Sequence, residues 1–511
     1  MKKLIAFVFA LVLGTTNAAF ADQTSDNSAK IEALQKQLDA VKAQLDQLKA
    51  LKPAPAPAPA PAPSFIQKVP GDPVTLLIGG EAVTLYGNLD LSYDVVTKGL
   101  PNFRPGGVND DPVGNTKWLG GISSNLSYIG VRGRHKLGAK SGFLYQLETQ
   151  LDVSATSGTS NTNSNSDSAV KGGLTSRNSF IGVDTPIGAF KIGKTDAPYK
   201  NSTARMNPFS AMLGDYTVVM GNSGGDNRVE FATRLDHAIW FESKSYSGLT
   251  LNALVSPGQN RAYDSSLIPT GESSCAGGNI PGSGATPPSC NDGSWGTVYS
   301  TSLNLQSHKA YFTAAYELHK RVNRTSDLAN LDPNDTADEQ AVKGGIQYAF
   351  NKYTTISGIY ETMNRWVPGY LMYQNERTRD GFYFSLNQVL SPKDSVAFGW
   401  ARANPTPGDT GQHNTPGGLN PDNMANMYAI AYRRQIDRHV GYYLDWAMTV
   451  NHKDAHYDLG AGGRGLNYDC HDASQLTAFD PTAATLVSGN GPHCYAGNRL
   501  QGFSTGLKVQ F

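Results

Sequence analysis

Long apolar runs are missing from most of this chain. After residue 21 no stretch reaches eighteen uninterrupted apolar residues, so no ordinary transmembrane helix is expected there. An excess of charge is missing as well. The 43 basic and 43 acidic residues cancel, which argues against a general nucleic-acid binder. Hydrophobic residues make up 39% of the chain, little for a conventional globular core. Cysteine is scarce, at four residues. No H-E-x-x-H run and no catalytic constellation emerges, so no enzyme, cofactor or bound metal is expected.

What is present points elsewhere. The chain holds 24 Tyr, 19 Phe and 54 Gly. Low hydrophobicity with many aromatics and glycines suits an all-β transmembrane barrel, whose wall alternates and whose interior is wet. The last segment shows that alternation. Phe503, Thr505, Leu507, Val509 and Phe511 fall on one face; Ser504, Gly506, Lys508 and Gln510 fall on the other. The start agrees. Lys2 and Lys3, an apolar run from Leu4 to Leu13 and the small-residue site Ala19-Phe20-Ala21 read as a signal peptide over residues 1–21. The mature chain is then expected to begin at Asp22, with acids exceeding bases by two.

Residues 22–52 read as a coiled-coil stalk. Ile31, Leu34, Leu38, Val41, Leu45 and Leu48 are spaced as a and d positions of a heptad, with Lys and Gln flanking. So short a helix is marginal alone and its seam needs partners. Residues 53–83 read as a spacer. Its Pro53–Pro63 stretch alternates Pro and Ala, and eleven such residues at about 3.1 Å each span roughly 34 Å. Residues 84–511 read as the barrel. Seven tight turns alternate with eight long polar loops, which implies about sixteen antiparallel strands. Cys275 and Cys290 lie in one long loop and Cys470 and Cys494 in another, so two local disulfides on the outer face are expected. A metal site from Cys470, His471, Asp472, His493 and Cys494 is the alternative.

The segments VTLYGNLDLSYD, LSYIGVRGRHKLGAKSGFLYQLE, SRNSFIGVDTPIGAFKIGKTDAPYK and GFSTGLKVQF occur in the order typical of Gram-negative general porins. From about Thr84 to Phe511 the chain resembles that family, most of all its beta-proteobacterial members. The resemblance implies a homotrimer of sixteen-stranded barrels in outer-membrane lipid. It implies a third outer loop folded inward, and Phe511 as the signal read by the barrel-assembly machinery. The stalk and spacer depart from the ordinary family. They are similar in plan to the coiled-coil extensions of sucrose-specific and some dicarboxylate-type porins.

A pore selects ions with charged groups at its narrowest part. Arg132 shares the parity expected to face the lumen, and Arg177 lies where the family carries a wall arginine. Lys191 and Arg234 are further wall candidates. Arg205, Asp215 and Asp226 fall in the expected third loop, Ala197–Arg228. A charge on the lipid face costs about 2–4 kcal/mol near the midplane, which favours the lumen for the arginines. Bases exceed acids in this set, so a weak anion preference is expected for a pore passing small hydrophilic solutes. A substrate-selective channel for small anions or sugars is one alternative. An envelope-tethering protein, with peptidoglycan or periplasmic contact through the stalk, is another.

Overall fold

The computed structural model describes residues 32, 35–43, 66–67, 74–78, 81–99, 117–151, 153–154, 177–220, 231–257, 297–323, 336–366, 378–407, 422–452, 455, 457, 459–460, 479–480, 485–486 and 499–511. The chain divides into two units, Met1–Ser64 and Phe65–Phe511. In the first, residues 35–43 are helical, and Lys36 lies 4.0 Å from Glu32 one turn away. Leu38 and Val41 are more than half exposed there. Ile31, Leu34, Leu45 and Leu48 lie outside the described residues, as do the signal segment, Asp226 and all four cysteines.

The second unit is a closed sixteen-stranded antiparallel barrel. Its first eight strands are β1 (Glu81–Gly99), β2 (Lys117–Ser124 and Tyr128–Lys136), β3 (Gly142–Gln150), β4 (Ser179–Asp184), β5 (Gly188–Asp196), β6 (Arg234–Ser243), β7 (Leu249–Ser256) and β8 (Thr297–Gln306). The second eight are β9 (Ala310–Asn323), β10 (Thr336–Ala349), β11 (Thr354–Arg365), β12 (Arg379–Val389), β13 (Asp394–Ala403), β14 (Ala425–Gln435), β15 (Val440–Asn451) and β16 (Arg499–Gln510). Each pairs with its chain neighbour, and β16 closes on β1 from Gly502 opposite Val96 to Gln510 opposite Asn88. Strand β2 is broken at Asn125–Ser127, where Leu126 takes φ 55° and Asp90 accepts the Asn125 N–H. No described helix is long and apolar enough to cross a membrane.

The period of two sorts the wall. Tyr93, Ile181, Phe190, Ile192, Ile239, Leu251, Leu303, Phe312, Ile346, Phe384, Phe398, Ile430, Leu444, Phe503 and Leu507 point outward and stay exposed. They form the lipid face, where apolar side chains need no partner from the protein. Their neighbours in sequence point inward.

Closure has a second part below the chain end. Phe511 and Gly87 exchange two backbone hydrogen bonds, at 2.9 and 3.1 Å. Below that point the edge of β1 is taken by a short strand, Val74–Ile78, paired from Val74 opposite Leu85 to Ile78 opposite Glu81. Ile66–Gln67 pairs onto its far side. These strands fall within the stretch read from sequence as spacer.

Candidate pore lining and constriction

The third loop, between β5 and β6, turns into the barrel. Pro198 opens a short helix, α1 (Pro198–Thr203), followed by a 3-10 turn at Ala204–Met206 and a second short helix, α2 (Thr217–Met220). Proline suits the first helical position because its missing N–H has no partner there. The loop carries an apolar side of Met206, Phe209, Leu213 and Met220, all buried. Each lies over a glycine of the inner wall. A Cβ at Gly345 would stand 2.8 Å from the Met206 sulfur, one at Gly399 2.6 Å from the Phe209 ring, one at Gly381 2.9 Å from Met220 and one at Gly502 3.0 Å from Leu213. Polar anchors add to this. The Tyr199 N–H donates to Ser300 Oγ at 3.0 Å, and the Tyr311 hydroxyl donates to the Ser202 carbonyl at 2.8 Å. Ser385 donates to the Met206 carbonyl at 3.1 Å, and the Leu213 N–H donates to Asp445 at 3.0 Å. The loop is thus fastened to strands from β8 to β16.

Beneath it lies a dry charged network. His319 stands between Glu317, at 3.2 Å, and Glu339, at 2.9 Å. Arg365 meets the second oxygen of Glu339 at 2.8 Å. Phe231 of the loop stacks on the His319 ring at 4.5 Å. Next to it, the Tyr199 hydroxyl donates to Glu361 at 2.7 Å, and Lys343 lies 4.0 Å from the Tyr199 ring centre. Burial, and after it the Glu361 carboxylate, push the Tyr199 phenol well above its ordinary range, so it keeps its proton and donates.

The opposite wall, β1 to β6, holds most of the sequence-derived candidates. Arg132 points inward, is exposed, and lies 4.9 Å over the Tyr86 ring. Tyr86 donates to Glu148 at 2.9 Å, and Arg177 meets the other oxygen of Glu148 at 2.6 Å. Arg177 also lies 4.8 Å over the Tyr128 ring. Lys191 pairs with Glu242 at 2.7 Å and sits over Phe180 at 4.6 Å. Arg234 pairs with Asp196 at 3.2 Å and donates to Asn178 at 2.8 Å. Arg205, on the loop, is exposed and lies 4.4 Å over Tyr311, donating to Gln306 at 2.6 Å and Gln347 at 3.1 Å.

These contacts divide the candidates. Arg177, Lys191 and Arg234 each have a carboxylate partner, whereas no carboxylate among the described residues lies within ion-pair distance of Arg132 or Arg205. Asp215 serves its own loop: its carboxylate accepts from Asn207 at 2.8 Å, from the Ala211 N–H at 3.2 Å and from the Thr217 N–H and hydroxyl at 3.1 and 2.8 Å. Sequence reasoning missed Arg433, which lies 5.9 Å over the Phe209 ring on the inner face of β14. Its signal was there, since Tyr428 and Ile430 point out and Arg433 has the opposite parity.

Seven of the inward acids are withdrawn from water, while Glu242 stays part-exposed in its pair with Lys191. Asp90, Asp94, Glu148, Glu317, Glu339, Glu361 and Asp445 are each no more than 6% exposed. Asp94 shows how: hydroxyls of Ser504, Ser123 and Ser92 donate to it at 2.5, 2.6 and 2.8 Å.

A family model described as Gram-negative porin matches residues 56–454. No curated protein sequence matches. Among solved structures, the anion-selective porin from Comamonas acidovorans is similar, with a TM-score of 0.56 and 13% identity over 84% of this chain and 100% of that one. Salmonella typhi OmpF in complex with daunomycin gives a TM-score of 0.49 and 13% identity, over 84% and 98%. The outer membrane channel DcaP of Acinetobacter baumannii gives 0.47 and 10%, over 84% and 97%.

Proposed function

Since the chain belongs to the Gram-negative porin family and is an outer-membrane channel, we propose that it passes small hydrophilic solutes by diffusion with a preference for anions. One observation carries this reading: seven inward carboxylates are buried and the part-exposed Glu242 is held in an ion pair with Lys191, while Arg132 and Arg205 stand exposed without a counter-carboxylate among the described residues. A mobile anion then meets uncompensated positive charge, and a mobile cation meets few accessible negative groups. Neutral pairs such as Arg177–Glu148 shape the local field without adding net charge. The anchored third loop narrows the passage, and Arg205 places a cation on its lumen side. The Comamonas porin is itself named anion-selective; at 13% identity that likeness speaks for the fold.

The channel works as a homotrimer without catalytic activity. Its heptad segment forms a periplasmic stalk, a role that fits the exposed Leu38 and Val41. Cys275–Cys290 and Cys470–Cys494 close two outer loops, and Phe511 serves the assembly machinery. Asp226 joins the constriction from the loop.

The reading is tested by the zero-current potential across a planar bilayer under a KCl gradient. The wild type is expected to favour chloride, most clearly at low salt, because screening acts over about 10 Å at 0.1 M. Arg132→Gln and Arg205→Gln should each move the potential towards potassium, and together further. A wild-type channel that prefers potassium would overturn the reading.

A further inference from the structure

We propose that Tyr86, Tyr128, Arg132 and Arg177 form a binding subsite in the lumen for planar organic monocarboxylates, aryl carboxylates foremost. The proposal rests on the anion-preferring reading and names the solute class that the same wall holds best.

The geometry is built from β1, β2 and the approach to β4. Tyr86 faces Gly130 across the β1–β2 pair, and a Cβ at Gly130 would stand 2.5 Å from the Tyr86 ring. The ring therefore lies down along the inner wall and offers a face rather than an edge. Its hydroxyl is held by Glu148, which fixes that pose. Tyr128 stands beside it edge to face, with centroids 6.2 Å apart. A guanidinium lies over each ring, Arg132 over Tyr86 and Arg177 over Tyr128. The result is a patch of two rings and two planar cations.

Chloride uses only the charge of such a patch. A planar carboxylate can use more. A guanidinium stacked on a ring keeps its in-plane N–H donors free for the two oxygens of a carboxylate. Arg132 has no acceptor on the protein among the described residues, so its fork is open. Each ring face is already covered by its guanidinium, so the conjugated body of the anion stacks on the outer guanidinium face, which the tyrosine beneath holds in place, and this adds to the ion pair. The charge count selects a single carboxylate. Arg177 is neutralised by Glu148 at 2.6 Å, which leaves the net charge of the patch at that of Arg132.

The test is block of chloride current through the purified channel by benzoate and by acetate, which differ in the planar body and share the charged group. Benzoate is expected to block at lower concentration than acetate. Tyr86→Leu should reduce the benzoate-to-acetate ratio about two- to fivefold, the worth of one exposed cation–ring contact. Tyr86→Phe keeps the ring and loses the hydroxyl, and should retain most of the ratio, so a folding defect cannot mimic the result. Arg132→Gln should abolish preferential block. Equal block by the two anions in a channel that still favours chloride would overturn this subsite and leave the anion reading standing. A channel with no anion preference would remove both.

Discussion

On strands β9 to β11, Glu317, Glu339 and Glu361 are sealed beneath the third loop against His319, Arg365, Lys343 and Tyr199. On strands β1 to β6, Arg132 stands open to water on the face of a tyrosine. Both walls place ionisable groups on the inner side of an alternating strand. What differs is cover. The loop excludes water from one wall, where a charge is tolerable only with its partner in place. The bare wall leaves charges to act on what passes. The same barrel face thus supplies a fastening on one side and selectivity on the other.

The sharpest way to break that contrast is to remove a partner from the covered wall. Glu339→Leu would leave His319 and Arg365 without their shared carboxylate in a dry site. A loss of about 3–5 kcal/mol is expected, as for other broken buried pairs. It would show as a lower urea midpoint for the folded barrel; an unchanged midpoint would mean that the network contributes nothing.

A smaller effect is expected from lifting the loop off its seat. At Gly399, Leu needs the space of the Phe209 ring. Overpacking of this kind costs about 1–3 kcal/mol, which the loop can relieve by moving into the lumen. Single-channel conductance and selectivity should then both change. A variant with wild-type conductance would show that the loop can repack in place.

The smallest effect is predicted for a change that removes a pair without removing net charge. The double variant Glu148→Gln with Arg177→Gln should leave the zero-current potential in KCl close to the wild type, while Arg132→Gln alone moves it. If the double variant shifts the potential as far as Arg132→Gln, the distinction between paired and open arginines fails.

Much of the wall was legible. The alternation in GFSTGLKVQF and in VTLYGNLDLSYD gave strand and face together, because a period of two ties both to position. The inward parity of Arg132 followed from Ile129 and Val131. The partners did not follow. Arg177 meets Glu148 because the residues leading into β4 continue its register beside β3, and a local pattern carries no register between distant segments. Asp215 read as a pore acid, yet its carboxylate caps its own loop through Asn207 and Thr217. The apolar residues Met206, Phe209, Leu213 and Met220 are scattered within a polar loop. Their meaning depends on Gly345, Gly399, Gly502 and Gly381, more than a hundred residues away in each case. The stretch VTLLIGGEAVTL did carry a hairpin signal, with Gly79-Gly80 between two short halves rich in Val, Thr, Leu and Ile.

That early hairpin sets a limit on how the barrel can close. The pairing of Val74–Ile78 with β1 spans only a few residues, whereas the pairing of β16 with β1 joins segments some four hundred residues apart. Local contacts form quickly and distant ones late. In the folded barrel Val74–Ile78 occupies β1 from Leu85 to Glu81, and Phe511 sits opposite Gly87, just short of the positions that strand holds. The short strand acts as an end stop for the zipper. A slip of one residue would turn every lipid-facing side chain of β16 into the pore, and the stop makes that slip a collision rather than an alternative.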